Sequence, residues 1–303
     1  MKRILILFTL LFLVVSFQTV NADDLEVHFI DVGQGDSIFI KTPDNKTILI
    51  DAGKHYDPQM KYNPFLYLKN QNIEQLDAIF ISHPHDDHYN GFKYLCNKDG
   101  KDFPVKAVYY SVEPGSKYGV FNKCLKELIK RTEHSGQVSS RGPPLKFGEV
   151  AFTVFYPQEP ITEPSSNKNL DSIIMKMTYK NVSFMFTGDT ENKIEKTLEG
   201  NVKSTVLKVA HHGSKTATSK TFLSNVTPEY AVISCNDKDY GNNYGHPHAP
   251  TLKNLKELKI KLYRTNLSGT VVMKSDGDKI DISVEKDVPQ NSSKLWKPGK
   301  KNK

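Results

Sequence analysis

Apolar residues fall in short runs along the chain, and the first of them, 27–32, 37–42 and 47–50, are rich in β-branched and aromatic side chains. The turns between them are Gly33-Gln34-Gly35-Asp36 and Pro43-Asp44-Asn45-Lys46, so this opening reads as a meander of strands in one sheet. Strands at 78–81 and 107–111 then alternate with helices at 64–70 and 120–132. The second helix places Val120, Phe121, Cys124, Leu125, Leu128 and Ile129 at helical spacing. Further strands are expected at 152–156, 173–179, 182–187, 206–210, 231–234, 262–264, 270–274 and 280–284, with helices at 191–198 and 251–258 and a short one around Phe222. Segments 137–148 and 158–169, dominated by proline, serine and glycine, read as surface loops. Two strand-rich halves, each with helices, predict an α/β fold in which two sheets face each other with helices outside, a four-layer αββα sandwich.

Composition limits the class. With 303 residues, 38% hydrophobic and 25% charged, the chain can bury a large core, which excludes disordered and collagen-like classes. Lys2 and Arg3 precede an apolar stretch, 4–15, and Val20-Asn21-Ala22 offers a cleavage site. Residues 1–22 therefore read as a signal peptide, 23–286 as one folded domain, and the polar, lysine-rich 287–303 as a disordered tail. The apolar stretch is short for a membrane span and no cysteine follows it, which predicts a secreted or periplasmic protein without stable membrane association. Loss of Lys2 and Arg3 lowers the formal charge from +7 to +5. A basic exported chain is drawn to polyanions such as nucleic acid, although the same charge also serves solubility. Cys96, Cys124 and Cys235 show no C-x-x-C spacing; in an oxidising compartment they make one disulfide and one spare thiol, the expected pair being Cys96 with Cys124.

One stretch points to chemistry. Directly after the apolar run 77–81 come His83, His85, Asp86, Asp87 and His88, a density of ligands at a strand end that suits two neighbouring cations. Two later strands end in the same way: Phe186-Thr187-Gly188-Asp189 delivers a carboxylate, and Val209-Ala210-His211-His212-Gly213-Ser214 delivers two imidazoles. A lone carboxylate between two cations is suited to bridging them, and Asp189 is the expected bridge. Read singly, each residue also fits a plain role, Asp189 in a turn and His211 or His212 in a core. Their joint occurrence favours a metal centre.

The His-x-His-x-Asp-His string resembles the signature of the metallo-β-lactamase superfamily, with His83, His85, Asp87 and His88 in its four positions. The surrounding runs Phe29–Ser37, Ile50-Asp51-Ala52-Gly53, Thr187-Gly188-Asp189, Leu207–Thr216 and Tyr244-Gly245-His246-Pro247 resemble the hydrolase-like domain of the ComEC competence proteins and its free-standing secreted relatives. The likeness runs over about 27–284. It implies that His83 and His85 hold one metal and Asp87 and His88 the other, that Asp189 bridges them, and that His212 completes the second site. His211 is then left beside the ligands or on the substrate. Asp51 is expected to accept a hydrogen bond from a ligand histidine and fix its tautomer. Gly33 and Gly35 are expected to permit a tight turn near the site, which Asp36 caps or orients. One departure stands out: the histidine that the wider superfamily places between signature and bridge is missing, and the segment reads Asn167-Lys168-Asn169-Leu170-Asp171-Ser172. Either Asp171 replaces it with an oxygen, as a ligand or from beside the ligands, or the first site is left weak, and His134 is expected at the surface. Such an oxygen-richer site accepts manganese as well as zinc.

The resemblance thus implies an exported hydrolase with two divalent metal ions, zinc foremost and manganese as the alternative, that activate a bridging water. Asp87, His211 and His246 are the candidate catalytic residues, and Ser214 and Lys215 the candidate substrate contacts; His246 or Lys215 would meet charge on a phosphoryl group or leaving oxygen. His248 reads as a surface-turn residue, and Asn242 and Asn243 as possible substrate contacts. The expected substrate is a phosphodiester, nucleic acid foremost. The alternatives are phosphorylcholine esters, lactones or β-lactams, or a metal-dependent binding protein without turnover.

Overall fold

The computed structural model describes residues 24–300 except 56, 58–61, 98–99, 116–118 and 237–243. The expected signal peptide lies outside these residues, as do Asn242 and Asn243. No helix among the described residues is long and apolar enough to cross a membrane.

Two sheets form the centre. The first takes β1 (Leu25–Phe29), β2 (Ile38–Lys41), β3 (Thr47–Ile50), β4 (Ala78–Ile81), β5 (Ala107–Tyr110) and β6 (His134–Gln137). The second takes β7 (Leu145–Phe147), β8 (Val150–Tyr156), β9 (Ile174–Tyr179), β10 (Val182–Phe186), β11 (Val206–Lys208), β12 (Tyr230–Ile233) and β13 (Lys261–Arg264). The closing hairpin, β14 (Val271–Ser275) and β15 (Ile280–Val284), returns to the first sheet through antiparallel pairing of β14 with β1. The sheets therefore do not divide the chain into two sequential halves.

Side-chain alternation builds the layers. Ile48, Ile50 and Phe80 point between the sheets, where they meet Phe152, Met175, Met177, Phe184 and Phe186 of the second sheet. Leu49, Ile79 and Ile81 point the other way, against Phe65 and Leu68 of α1 (Pro64–Asn70) and Leu125 and Leu128 of α4 (Gly119–Arg131). On the second sheet Met185 and Leu207 likewise face outward to Phe222 of α6 (Lys220–Val226) and to Leu252 and Leu255 of α7 (Ala249–Glu257). Three apolar layers between four layers of structure give the expected αββα sandwich, and each such buried side chain contributes roughly 1.5–3 kcal/mol relative to exposure. Local signals set the helix ends: Asn63 accepts from the amides of Phe65 and Leu66 ahead of Pro64, and the Ser219 side chain accepts from that of Phe222.

Each sheet is antiparallel on one side and parallel on the other. β3 to β6 run parallel, as do β10 to β13. Parallel strands send all their following loops to one edge, so the loops after β3, β4, β10, β11 and β12 gather in one place. Two strands lie inside the expected loop 137–148 and its border. β6 is a polar edge strand whose exposed His134 and Ser135 show no apolar alternation, and β7 is short. Residues 289–300 are not loose either. Leu295 is buried, Ser293–Trp296 form a 3-10 turn, and backbone carbonyls of the segment accept from the buried Arg264, contacts that a polar composition does not reveal. Cys96 and Cys124 are free thiols with sulfurs 3.3 Å apart, and Cys235 is buried.

Candidate metal centre

β4 ends at Ile81, and the chain turns through Ser82, His83, Pro84 and His85 into α2 (Asp86–Tyr89), a single helical turn that sets Asp87 and His88 side by side. His83 and His88 are fully buried. Asp51 follows β3 in a left-handed conformation, φ 57°, and its carboxylate takes the Ser82 amide at 2.7 Å, the Ser82 hydroxyl at 2.6 Å and His88 Nδ1 at 2.8 Å. Because Asp51 holds Nδ1 of His88, Nε2 is the nitrogen turned inward, 3.2 Å from Asp189 Oδ1. The same device recurs at His212, whose Nδ1 donates to the Ser234 carbonyl at 2.9 Å while Nε2 faces Asp87 Oδ2 at 3.3 Å and Asp189 Oδ2 at 3.4 Å.

Asp189 stands where the groups meet. The turn through Gly188, φ 49°, directs it inward, and the Ser172 hydroxyl accepts from its amide. Asp87, His88, Asp189 and His212 form one potential ligand set and His83, His85 and Asp189 another, the ligand atoms of each lying within 4.8 Å of one another. In both sets Asp189 is the shared member, and His212 rather than His211 joins the four-ligand set. His211 is one-fifth exposed, 3.8 Å from Asp189 Oδ2, beside Asn169. A third acidic set, Asp36, Asp51 and His88, is already committed: Lys208 Nζ sits 2.7 Å from Asp36 Oδ2, and Asp51 serves Ser82 and His88.

The electrostatics follow from burial against charge. Burial alone would depress His88 and His212, but Asp189 with Asp51 holds His88 well above its ordinary value, and Asp189 with Asp87 and Asp36 raises His212 to about 10. Burial works against the carboxylates of Asp87 and Asp189 too, and the neighbouring imidazoles outweigh it, keeping both below the usual carboxylate range. Burial pushes His83 well below its ordinary value, and burial with the charges of His212 and His211 takes His246 down to about 3. The pocket is thus a buried field of negative charge lined with imidazoles. His88 Nε2, His212 Nε2 and Asp189 Oδ1 are buried without a hydrogen-bond partner, the state of groups made for a cation.

Above the ligands opens a cleft of about 440 Å³, walled by Gln34, Asn169, Ser214, Lys215, His246 and His248 among others. The His246–Pro247 loop, the exposed Lys215 and the buried Ser214 all reach it, and His248 is held there by the Lys215 amide rather than lying loose in a surface turn. A larger cleft of about 740 Å³, lined by Glu26, His28, Lys41 and Thr47, opens at the opposite strand ends and contains none of these ligand sets. Gly35, φ 139°, brings its turn so close to α2 that a Cβ there would lie 2.2 Å from the Asp87 carbonyl, and the Asp36 amide donates to that same carbonyl.

Asp171 belongs to neither ligand set. Both of its oxygens accept from the Ser165 amide, so it organises its own loop, and the residue of this segment that lines the cleft is Asn169, whose buried Oδ1 has no partner. Sequence reading missed Asn169 and Lys208. A lone lysine inside the apolar run Val206–Val209 was the available signal for the second; which of two polar residues faces inward from a 3-10 turn has no signal in residue order.

The family model for the Metallo-beta-lactamase superfamily matches residues 30–236. The chain belongs to that superfamily. ComE operon protein 3 of Bacillus subtilis (strain 168) is 31% identical over 282 residues, 87% of this chain and 34% of that protein, in line with the competence-type motifs. The exodeoxyribonuclease WalJ of Streptococcus pneumoniae is 34% identical over 84 residues, 28% of this chain and 30% of its own length. This superfamily member therefore spans about a third of the length of the curated relatives it matches. Among solved structures, a mutant CmlA beta-hydroxylase shares the fold, with a TM-score of 0.52 at 12% identity over 83% of this chain and 54% of that one.

Proposed function

We propose that this chain is an exported metal-dependent phosphodiesterase whose substrate is nucleic acid. The observation that carries the reading is the pair of ligand sets sharing the buried Asp189 on the floor of a cleft whose rim holds His246, Ser214 and Lys215. The residues fit divalent cations, because inward nitrogen and carboxylate atoms are buried without partners while the outer nitrogens of His88 and His212 are fixed by Asp51 and Ser234. Zinc suits the imidazole-rich sets, and manganese, which also accepts imidazole and carboxylate donors, is the alternative. A bound pair of cations supplies an activated water and neutralises charge on the attacked group.

The chain's own groups do the rest. Asp51 and Ser234 lock two imidazole tautomers and so fix where the lone pairs point. Lys215, exposed at the rim, meets the negative charge that attack at phosphorus places on the phosphoryl oxygens. His246, neutral at pH 7 because its value is pushed down to about 3, serves as a hydrogen-bonding imidazole for the phosphoryl or leaving oxygen. Ser214 lines the cleft beside it. The likeness to an exodeoxyribonuclease over part of the chain, and the competence-type relative, support nucleic acid over other esters.

Full-length protein loaded with zinc or manganese should cut single-stranded or plasmid DNA, and Asp189→Ala should not. Hydrolysis of a chromogenic cephalosporin or a phosphorylcholine ester with DNA left intact overturns the nuclease reading; metal uptake without any turnover overturns the enzymatic one.

A further inference from the structure

Of the 41 lysines and arginines, two fall in residues 1–22 and five in residues 289–303, and neither stretch holds an acid. The 34 bases that remain are matched by 34 acids. With histidine neutral, residues 23–288 therefore carry no net charge, and the whole positive excess beyond residue 22 resides on Lys294, Lys297, Lys300, Lys301 and Lys303. A neutral body has little long-range pull on a polyanion, whereas a dense basic segment has much.

Residues 289–300 of that segment are held against the fold. Leu295 is buried, and Lys256 of α7 lies over the Trp296 ring at 5.7 Å. Arg264, 3% exposed at the end of β13, donates Nη1 to the carbonyls of Leu295 at 3.1 Å and Lys297 at 2.8 Å. A buried guanidinium stripped of such acceptors is costly, so this docking is built into the fold. Gly299 then donates its amide to the Pro247 carbonyl at 2.9 Å, and passes so near that a Cβ on it would lie 1.9 Å from the His246 carbonyl. His246 walls the cleft. Lys300 leaves the backbone one residue beyond this contact, about 3.8 Å on, and both Lys297 and Lys300 are exposed.

We propose that residues 289–300 form a cationic arm, docked behind the His246–Pro247 loop, that holds the backbone of a nucleic-acid strand at the mouth of the cleft. The proposal rests on the nucleic-acid reading above and names where that strand is gripped.

The test replaces Lys294, Lys297 and Lys300 with glutamine in the full-length, metal-loaded protein, leaving Leu295, Trp296 and Gly299 in place. Binding of a labelled single-stranded phosphorothioate oligonucleotide, which resists cleavage, is followed by anisotropy across a salt series, with melting temperature and metal content confirming an intact fold. Affinity should fall, and the slope of log K against log salt should flatten by about 0.7 for each lysine that meets a phosphate, up to about 2.1. A variant with the wild-type affinity and slope overturns the arm and leaves the nuclease reading standing. A wild-type protein that neither binds nor cuts strands overturns both. Loss of binding to phosphatidylglycerol vesicles, with oligonucleotide binding unchanged, assigns the lysines to a membrane surface and also overturns the arm.

Discussion

Strand β4 has a carboxylate-bearing segment at each end, and the two do different work. Before the strand, Asp77 accepts from the Thr47 amide and from Lys106 Nζ at 2.8 Å, tying the starts of β3, β4 and β5 together. After it, the carboxylates and imidazoles of 83–88 face others from β10 and β11, and His88 Nε2, Asp189 Oδ1 and His212 Nε2 are left unpaired by hydrogen bonds. One end is satisfied and closed, and the other is convergent and waiting for charge. The difference teaches that a strand-end carboxylate is functional when its partners cannot satisfy it, and structural when they can.

The largest break in that comparison should come from Asp189→Ala. Metal should be lost from both ligand sets and hydrolysis should drop on the order of a thousandfold or more, since cation stabilisation is worth several kcal/mol and each 1.36 kcal/mol is tenfold; elemental analysis with rate measurement checks this, and a variant that keeps both ions and full activity refutes the bridge. Asp51→Asn should act more gently, weakening metal affinity about 10–100-fold by releasing His88, as read by competition with a chelator.

At the closed end, Asp77→Ala should cost about 1–3 kcal/mol of stability in urea unfolding while leaving turnover at saturating metal unchanged. Although burial opposes it, hydrogen bonding to Lys106 and Thr47 lowers the Asp77 value below 3.8 in the folded state. Its contribution is therefore complete above pH 3.8 and fades as the pH falls below that value, so wild type and variant should converge in acid; a gap that persists there contradicts the assignment. Lys106→Met should be smallest in the same unfolding measurement, because that ion pair is open to solvent and screened by it.

Much of this was legible before the fold. The runs 47–50, 64–70 and 78–81 emerge as β3, α1 and β4 with the expected bounds, because burial on both faces and a capped proline start leave strong side-chain patterns. The ligands were legible because few other roles place three histidines within six residues at a strand end. What escaped was held by backbone or by the choice of facing. β6 pairs at an edge with polar side chains, the tail is anchored through its carbonyls to Arg264, and Asn169 takes the inward position that Asp171, two residues on, was expected to fill.

Asp189 descends from the second sheet, whereas His83, His85, Asp87 and His88 descend from the first. Any ion seated there is a rivet through both plates of the sandwich, closing a loop of roughly a hundred residues, and its binding free energy is also free energy of folding. The thermal transition of this protein should then serve as a gauge of free metal, climbing with each increment of ion and sinking under chelation, even where no substrate is present to report on the site.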